Sequence, residues 1–168
     1  TLSTSSIKCV GVKSGKINVQ NISGGVGAPY TFAWDSSSTN TTDSLVNLGP
    51  GTYTVSVTDS DSNTEVKKVT LIAPTPITNT FVLTSTICGD STGSAFPIIS
   101  GGKSPYTVSW PTGVTILNDT AIALKAGSYT VTVVDSNGCS IIDTAVIGLS
   151  GSNISFVVSS NPEFCKNG

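Results

Sequence analysis

Two stretches of the chain alternate between apolar and hydroxyl-bearing side chains. In "YTVSV" at residues 53–57 and "YTVTV" at 129–133, a Tyr and two Val residues occupy every second position. This period of two predicts β-strands with one face buried and the other in water. The aromatic stretches at 30–34 and 106–110 follow the same rule, so we expect their Tyr, central apolar residue and Trp to share one face of a strand.

Other short runs rich in β-branched residues predict further strands. These runs lie around residues 16–22, 65–72, 93–99, 120–124 and 140–147. No stretch predicts a helix longer than one turn. Many short strands separated by turn residues are typical of small immunoglobulin-like β-sandwiches.

The chain repeats itself with a constant offset. "GPGTYTVSVTDS" and "KAGSYTVTVVDS" are copies of one segment, and residues 76 positions apart match: Tyr30 and Tyr106, Trp34 and Trp110, Gly51 and Gly127, Tyr53 and Tyr129, Asp59 and Asp135. The copies meet at the Pro-containing segment 73–76, which favours an extended connector. We therefore predict an all-β chain of two tandem immunoglobulin-like β-sandwich modules, 1–75 and 76–150, with a C-terminal extension strand in 151–168.

The phrases "GGVGAPYTFAW" at 24–34 and "GGKSPYTVSW" at 101–110 have a structural interpretation. Gly-Gly suits a turn, Pro sets the entry to a strand, and the aromatic residues then point inward. The predicted module core comprises Tyr30, Trp34, Tyr53, Tyr106, Trp110 and Tyr129. The alternative is a sugar-stacking platform, which requires Tyr30 or Trp34 to face outward.

Composition narrows the classes of function. The chain has 8 Lys and Arg residues, a net charge of −2 and no His. The thinly spread lysines form no basic stripe, which argues against nucleic acid as a partner. Without His, neither a Ser–His nor a Cys–His pair can form, so we expect no enzymatic activity and no cofactor. No apolar run approaches the roughly 18 residues of a membrane span, so we expect no membrane insertion.

One loop has a weak calcium-like spacing. Asp59, Asp61 and Asn63 alternate as the first ligands of a calcium loop do. However, the sixth and twelfth positions are Thr64 and Thr70, where an EF-hand loop needs Gly and Glu. A polar hairpin turn is the favoured interpretation, with calcium as the alternative.

Four sequons mark glycosylation acceptors if the source is eukaryotic: Asn21, Asn40, Asn118 and Asn153. Four is close to the number expected by chance in a chain this rich in Ser and Thr. For the loop at 36–44, a flexible hairpin loop is the favoured interpretation, with an O-glycan acceptor as the alternative.

Both modules resemble a known family, and the second carries the most specific part of the resemblance. Cys88, "SGG" at 100–102, "PYTVSW" at 105–110 and "AGSYTVTVVDSNGC" ending at Cys139 are similar to the SprB-type repeat of bacterial gliding and surface adhesins. The resemblance implies tandem immunoglobulin-like modules in long cell-surface proteins, without catalysis. It also implies a disulfide between Cys88 and Cys139. The first module departs from the pattern, because Asn63 stands where the second Cys would be.

The two remaining cysteines mark the starts of modules. Cys9 precedes Cys88 by 79 residues and Cys165 follows it by 77, while "NISFVVSS" at 153–160 resembles "NTFVLTS" at 79–85. The chain thus ends with the first strand of a third copy. One interpretation is truncation of a longer repeat protein. The other is head-to-tail assembly of copies, with an intersubunit disulfide between Cys9 and Cys165 at opposite ends of an extended two-module chain.

Four cysteines in a small, weakly charged β-protein predict an extracellular, oxidising location. The predicted function is a structural subunit of a cell-surface filament or adhesin stalk, with copies of itself as partners. The alternative is an adhesion module that binds surface glycans.

Overall fold

A computed structural model describes residues 1–26, 28–35, 41–87 and 89–151. The chain divides into two compact units, Thr1–Pro76 and a second that begins at Ile77. The described residues form thirteen β-strands and no helix, which confirms the predicted all-β class. No helix in the described ranges is long and apolar enough to span a membrane.

Unit 1 is a sandwich of two antiparallel sheets, with the strand orders β1-β2-β4 and β3-β5-β6. Its strands are β1 (Leu2–Ser5), β2 (Gly15–Val19), β3 (Thr31–Trp34), β4 (Ser44–Leu48), β5 (Gly51–Thr58) and β6 (Thr64–Leu71). Both sheets contribute to one core, formed by the buried residues Ile7, Ile17, Trp34, Val55 and Leu71.

Unit 2 repeats this arrangement with one more strand. Its sheets have the orders β10-β11-β8-β7 and β13-β12-β9. The strands are β7 (Thr78–Thr84), β8 (Gly93–Ser100), β9 (Thr107–Ser109), β10 (Thr115–Leu117), β11 (Thr120–Leu124), β12 (Gly127–Val134) and β13 (Ser140–Ile147). The buried core residues again come from both sheets: Ile77, Ala95, Ala121, Leu124, Val131, Val133, Ala145 and Ile147.

The strand order identifies the sandwich type. With the seven strands of unit 2 lettered A to G in chain order, one sheet reads D-E-B-A and the other G-F-C. This is the constant-type immunoglobulin topology, and unit 1 has it without strand D. The predicted immunoglobulin-like fold is therefore confirmed.

A tyrosine corner joins the two sheets in each unit. Tyr53 near the start of β5 donates its hydroxyl hydrogen to the carbonyl oxygen of Gly49, at 2.9 Å. Tyr129 near the start of β12 donates to the carbonyl oxygen of Lys125, at 3.0 Å. β5 and β12 both correspond to strand F. A bond from a Tyr near the start of strand F to the backbone four residues upstream is a hallmark of immunoglobulin-like sandwiches.

The two Trp residues both face inward. Trp34 is 1% exposed and donates its indole N–H to the carbonyl oxygen of Thr42, at 2.8 Å. Trp110 is half-buried against the core of unit 2, with its ring centroid 6.0 Å from that of Phe81. Neither indole can therefore serve as an outward sugar-stacking platform.

The other four predicted core aromatics are half-buried. Tyr53 packs against the core of unit 1, and Tyr106 and Tyr129 pack against the core of unit 2. Tyr30 is not among the residues packed against the core. It lies at the end of the sandwich and donates its hydroxyl hydrogen to the carbonyl oxygen of Gly24, at 3.1 Å.

In unit 2, the segment that follows the first strand is hydrogen-bonded to the segment that follows the last strand. Thr86, just after β7, forms a parallel bridge with Leu149, just after β13. Its N–H donates to Gly148 at 3.0 Å, and its carbonyl accepts from the N–H of Ser150 at 2.8 Å. The Thr86 side chain is 1% exposed, and its hydroxyl accepts from the N–H of Thr92.

Two cysteines lie in the described residues, and both are disulfide-bonded. These are Cys9, after β1, and Cys139, at the start of the β13 hairpin arm. Cys88 and Cys165 lie outside the described residues. The Cys88–Cys139 pairing and the Cys9–Cys165 intersubunit bridge stay predictions.

Candidate functional site

A buried aspartate joins two loops at one end of each sandwich, and we call this arrangement the aspartate hub. In unit 1, Asp59 follows β5 and lies in the β5–β6 hairpin. Its Oδ2 accepts from the N–H of Val26 in the β2–β3 loop, at 3.2 Å. Its Oδ1 accepts from the N–H groups of Asp61 and Asn63, at 3.0 and 2.9 Å.

Unit 2 builds the same hub from Asp135. Its Oδ2 accepts from the N–H of Lys103, at 3.0 Å, and its Oδ1 accepts from the N–H groups of Asn137 and Cys139, at 2.9 Å each. A carboxylate that accepts backbone N–H groups in this way satisfies donors that the turns leave unpaired. The Gly-Gly phrase is thus the loop that each hub holds.

The second glycine of the phrase allows the loop to approach its hub closely. Gly102 has a φ of +57°, and a Cβ there would lie 2.6 Å from Cγ1 of Ile77 and 2.9 Å from Oδ2 of Asp135. Gly25 has a φ of +68° and would bring a Cβ against Asp59. Only glycine combines this backbone with the absence of a side chain.

Asn63 takes a role in unit 1 that no cysteine could take. It stands where unit 2 has Cys139, and its side-chain amide donates to both carboxylate oxygens of Asp59, at 3.3 and 3.1 Å. The departure from the repeat pattern therefore adds donors to the hub.

These hydrogen bonds change the acidity of both aspartates. The side-chain amide and then the backbone N–H of Asn63 lower the pKa of Asp59, with smaller contributions from Val26 and Asp61 that together outweigh burial. Burial raises the pKa of Asp135, but the N–H bonds from Cys139, Lys103, Asn137 and Gly138 outweigh it and lower the pKa. Both hubs therefore favour ionised carboxylates.

The calcium-like spacing falls on the hub of unit 1. Both oxygens of Asp59 already accept N–H donors, which accounts for the loop without a cation. Across the described ranges, no three His, Cys, Asp or Glu side chains lie together as a metal site. Calcium at Asp59, Asp61 and Asn63 stays a prediction that the sequence pattern alone makes.

A cavity of about 570 Å³ opens beside the hub of unit 1. Its walls include Leu2 of β1, Val19 of β2, and Val55 and Val57 of β5. These residues belong to both sheets, so the cavity reaches between them. Its volume lies in the range of roughly 300–1,000 Å³ typical of sites that take small ligands or side chains.

The rim of the cavity is polar. Tyr30, Asn63, Glu65 and Lys67 line it, together with the backbone of the Gly-Gly loop. Lys67 and Glu65 form an ion pair with a 2.6 Å separation, and both side chains are exposed. The Lys67 ammonium donates to and attracts the Glu65 carboxylate, which lowers the pKa of Glu65. An apolar floor under a polar rim suits an occupant with one apolar group and a polar backbone or hydroxyls.

Two of the four predicted N-glycosylation sites, Asn21 and Asn118, lie in the described residues. Asn21 is exposed, has a φ of 49° and lies on the wall of the cavity. Asn118 is exposed, with a φ of 47°, in the turn between β10 and β11. Asn40 and Asn153 lie outside the described residues, as does most of the loop at 36–44.

Sequence reasoning did not find the cavity or the two hubs. The one available signal was that Asp59 recurs as Asp135 at the same position of the second repeat. A buried acid that recurs in this way needs hydrogen-bond donors that recur with it. The cavity depends on how β1 is placed along β2, which no local pattern encodes.

A comparison with protein-family models finds a match for one segment of the chain. The family model of the SprB repeat matches residues 1–39 of the 168. The sequence resemblance covers both modules, and this match in unit 1 confirms the prediction of an SprB-type repeat.

A search of solved structures finds a distantly similar fold, and a search of curated proteins finds no match. The structure of an amphioxus IgVJ-C2 molecule is similar over 88% of this chain and 96% of that chain, with 14% identity and a TM-score of 0.35. Our assignment of the immunoglobulin-like topology rests on the strand order and not on this likeness.

Proposed function

We propose that the chain is a non-enzymatic structural subunit of an extracellular filament or adhesin stalk at a cell surface. In this proposal, copies assemble head-to-tail through residues 151–168. The observation that carries it is the repeat of the first-strand sequence in the tail: "NISFVVSS" at 153–160 follows the last strand of unit 2 and resembles β7. A segment that repeats the sequence of a first strand could add to a sheet edge of another copy.

Three further features support this proposal. SprB repeats occur in cell-surface proteins. Disulfides at Cys9 and Cys139 are consistent with an oxidising compartment. A head-to-tail contact that does not close on itself generates a fibre.

Electron microscopy and light scattering of the purified chain test the proposal. We expect fibres in negative stain whose repeat matches the length of two modules, and a mass that grows with concentration. A variant without residues 152–168 should keep both thermal transitions and stay monomeric. A monodisperse full-length chain at all concentrations, or fibres unchanged by the deletion, would contradict assembly through the tail.

The cavity favours a second candidate function, an adhesion module that binds surface glycans. Tyr30 is the half-buried aromatic residue on its rim, and Asn63, Glu65 and Lys67 supply polar groups beside it. A glycan array with the wild-type chain and with Tyr30→Ala tests this candidate. Phe96→Ala, which removes an aromatic ring of unit 2 that is 42% exposed and lies outside the cavity, is the control. No glycan signal above that of Tyr30→Ala would remove this candidate.

A further inference from the structure

The two units share a landmark in the sheet that contains their first strands. Gly15 of β2 and Gly93 of β8 both lie against a backbone carbonyl oxygen of strand E and a side chain of strand G. Counted along the strand from these glycines, Asn18 of β2 corresponds to Phe96 of β8. The outer faces of the two sheets can therefore be compared position by position.

Phe96 lies on the outer side of its sheet, away from the core of unit 2. Its neighbours Ala95 and Pro97 are buried, and side chains alternate along a strand. Phe96 pairs with Val82 of β7, and the two residues are 42% and 55% exposed. Ile98, two positions further along the same face, is 50% exposed. These exposed apolar side chains are therefore neighbours on one surface.

The row continues across the sheet to β10. Leu117 is 58% exposed and pairs with Thr120 of β11. Thr120 precedes the buried Ala121, which pairs with Ala95 of β8. Because side chains alternate, Thr120 and Leu117 lie on the same outer side as Phe96. We call this surface the apolar face, and it comprises Val82, Phe96, Ile98 and Leu117.

The corresponding surface of unit 1 is polar. Asn18 pairs with Ser3 of β1, and the next residue of β2 on the same side is followed by Gln20 at the end of the strand. The counterparts of these three polar residues in unit 2 are all apolar: Phe96, Val82 and Ile98. An antiparallel sheet with one face on the core usually carries polar residues on the other. Unit 1 follows this rule and unit 2 does not, so the fold itself does not require the apolar face.

Exposed apolar residues on the other sheet of unit 2 are isolated. Ile142 of β13 is 73% exposed and pairs with Thr132, and Val146 is 56% exposed and pairs with Ser128. Thr144 lies between them on the same side of the strand. Single exposed apolar residues are ordinary on soluble proteins, whereas a contiguous apolar surface marks an interaction site.

The absence of charge from the apolar face indicates the kind of partner. The four strands β7, β8, β10 and β11 contain no Asp, Glu, Lys or Arg. A charged partner would gain no ion pair there and would bury its own polar groups without partners. In a symmetric dimer the same patch meets itself, so a charged patch faces its own charge, whereas an uncharged apolar patch is complementary to itself.

We infer that the apolar face of unit 2 is an interface between two copies of this chain, with the two sheets packed face to face about a twofold axis. Sheets packed in this way lie about 10 Å apart, and the side chains between them interdigitate. Phe96 has the largest side chain of the face and lies between β7 and β11, so we expect it to be the anchor. The inference does not depend on head-to-tail assembly, because no residue of the segment 151–168 belongs to the face.

The size of the sheet limits the strength of this contact. β7, β8, β10 and β11 have 7, 8, 3 and 5 residues. At about 3.3 Å per residue and about 4.8 Å between strands, the sheet covers roughly 360 Å² in each copy. Two such faces lie at the low end of the range for specific interfaces, which is typical of weak complexes. We expect a dissociation constant on the order of 100 μM, so the pair is dissociated at the low micromolar concentrations of negative stain.

Transplanting the outer surface of unit 1 tests the apolar face in the full-length chain. The triple variant Val82→Ser, Phe96→Asn and Ile98→Gln gives unit 2 the residues that unit 1 carries at these positions. The matched control, Ile142→Thr with Val146→Thr, removes two exposed apolar residues from the other sheet. In sedimentation velocity from about 5 to about 500 μM, the wild type and the control should dimerise, and the dissociation constant of the triple variant should be at least about tenfold higher.

Photo-cross-linking locates the contact while the rest of the face stays intact. A benzophenone amino acid replaces Phe96 in a full-length chain, which is mixed with isotope-labelled wild type so that mass spectrometry recognises cross-links between copies. We expect cross-links from position 96 to β7 and β8 of the other copy, and none to that sheet from a benzophenone at position 142. This readout does not require the triple variant to fold, and it holds where copies also assemble through the tail.

Four results would overturn the inference. The first is a wild-type chain that stays monomeric at about 500 μM, and the second is equal dimerisation of the wild type and a folded triple variant. The third is a set of cross-links from position 96 to unit 1 or to the segment 151–168, and the fourth is no cross-link between copies from that position. Deletion of the tail tests the proposed function separately, because it leaves the apolar face unchanged.

Discussion

Ile77 belongs to the buried core of unit 2 and lies against Gly102 beside the hub, so its truncation tests the packing of that end of the sandwich. Ile77→Ala removes three carbon atoms from a side chain that is 9% exposed. At about 0.8 kcal/mol for each buried methylene, the transfer contribution is about 2.4 kcal/mol. The cavity left behind raises the total to about 3–4 kcal/mol.

This loss is large for a domain of this size. At roughly 0.05–0.15 kcal/mol per residue, a unit of about 75 residues has about 4–11 kcal/mol of stability in total. We therefore expect the melting temperature of unit 2 to fall by more than about 10 °C, while that of unit 1 stays unchanged.

Calorimetry of the full chain measures the shift, and hydrogen exchange of peptides from β8 and β12 assigns it to unit 2. Ile72→Ala is the matched control, because Ile72 is 79% exposed five residues earlier in the chain. Its effect should stay within about 0.5 kcal/mol. Equal effects of the two substitutions would refute the reasoning, because Ile77 would then contribute no more to the core of unit 2 than an exposed residue does.

Four further predictions concern the corners and hubs. Tyr129→Phe should destabilise unit 2 by about 1 kcal/mol in urea unfolding, since it deletes the hydroxyl bond to the backbone, and no change would contradict the role of the corner. Because the folded pKa of Asp135 lies below its unfolded value, its contribution to stability is present at neutral pH and is lost as the pH falls from about 4 through the folded pKa. The melting temperature of Asp135→Asn, measured over this range, should vary less with pH than that of the wild type, and parallel curves would refute the assignment. Gly102→Ala should lower the melting temperature more than Gly113→Ala, because both residues have positive φ but only Gly102 would clash, and equal losses would contradict this. Millimolar calcium should leave the melting temperature unchanged, since N–H donors already engage Asp59, and a clear rise would restore the calcium site.

The sequence predicted those elements whose signal is local. The alternation at 53–57 and 129–133 lies within β5 and β12, and the predicted runs at 65–72 and 140–147 coincide with β6 and β13 within one residue. These strands pair along their full lengths, so local pattern and tertiary environment agree.

The elements that were not predicted depend on their neighbours. β1, β4 and β10 are three to five residues long, and two of them contain only one or two half-buried apolar side chains. Strand pairing holds them in place, which a single-strand pattern does not reveal. Tyr30 was predicted as a core residue because it shares the alternation of Trp34, yet it lies just before β3, where the sandwich ends. The two hubs join residues more than thirty positions apart, and only the folded chain brings them together.

The parallel bridge at Thr86 sets how unit 2 responds to force. Tension between the two ends of the unit pulls the segment before Thr86 and the segment after Leu149 in opposite directions along adjacent parallel backbones. The hydrogen bonds from Thr86 to Gly148 and from Ser150 to Thr86 are then loaded in shear and must break together, not one after another. A unit clamped in this way resists extension between the segment after β7 and the segment after β13.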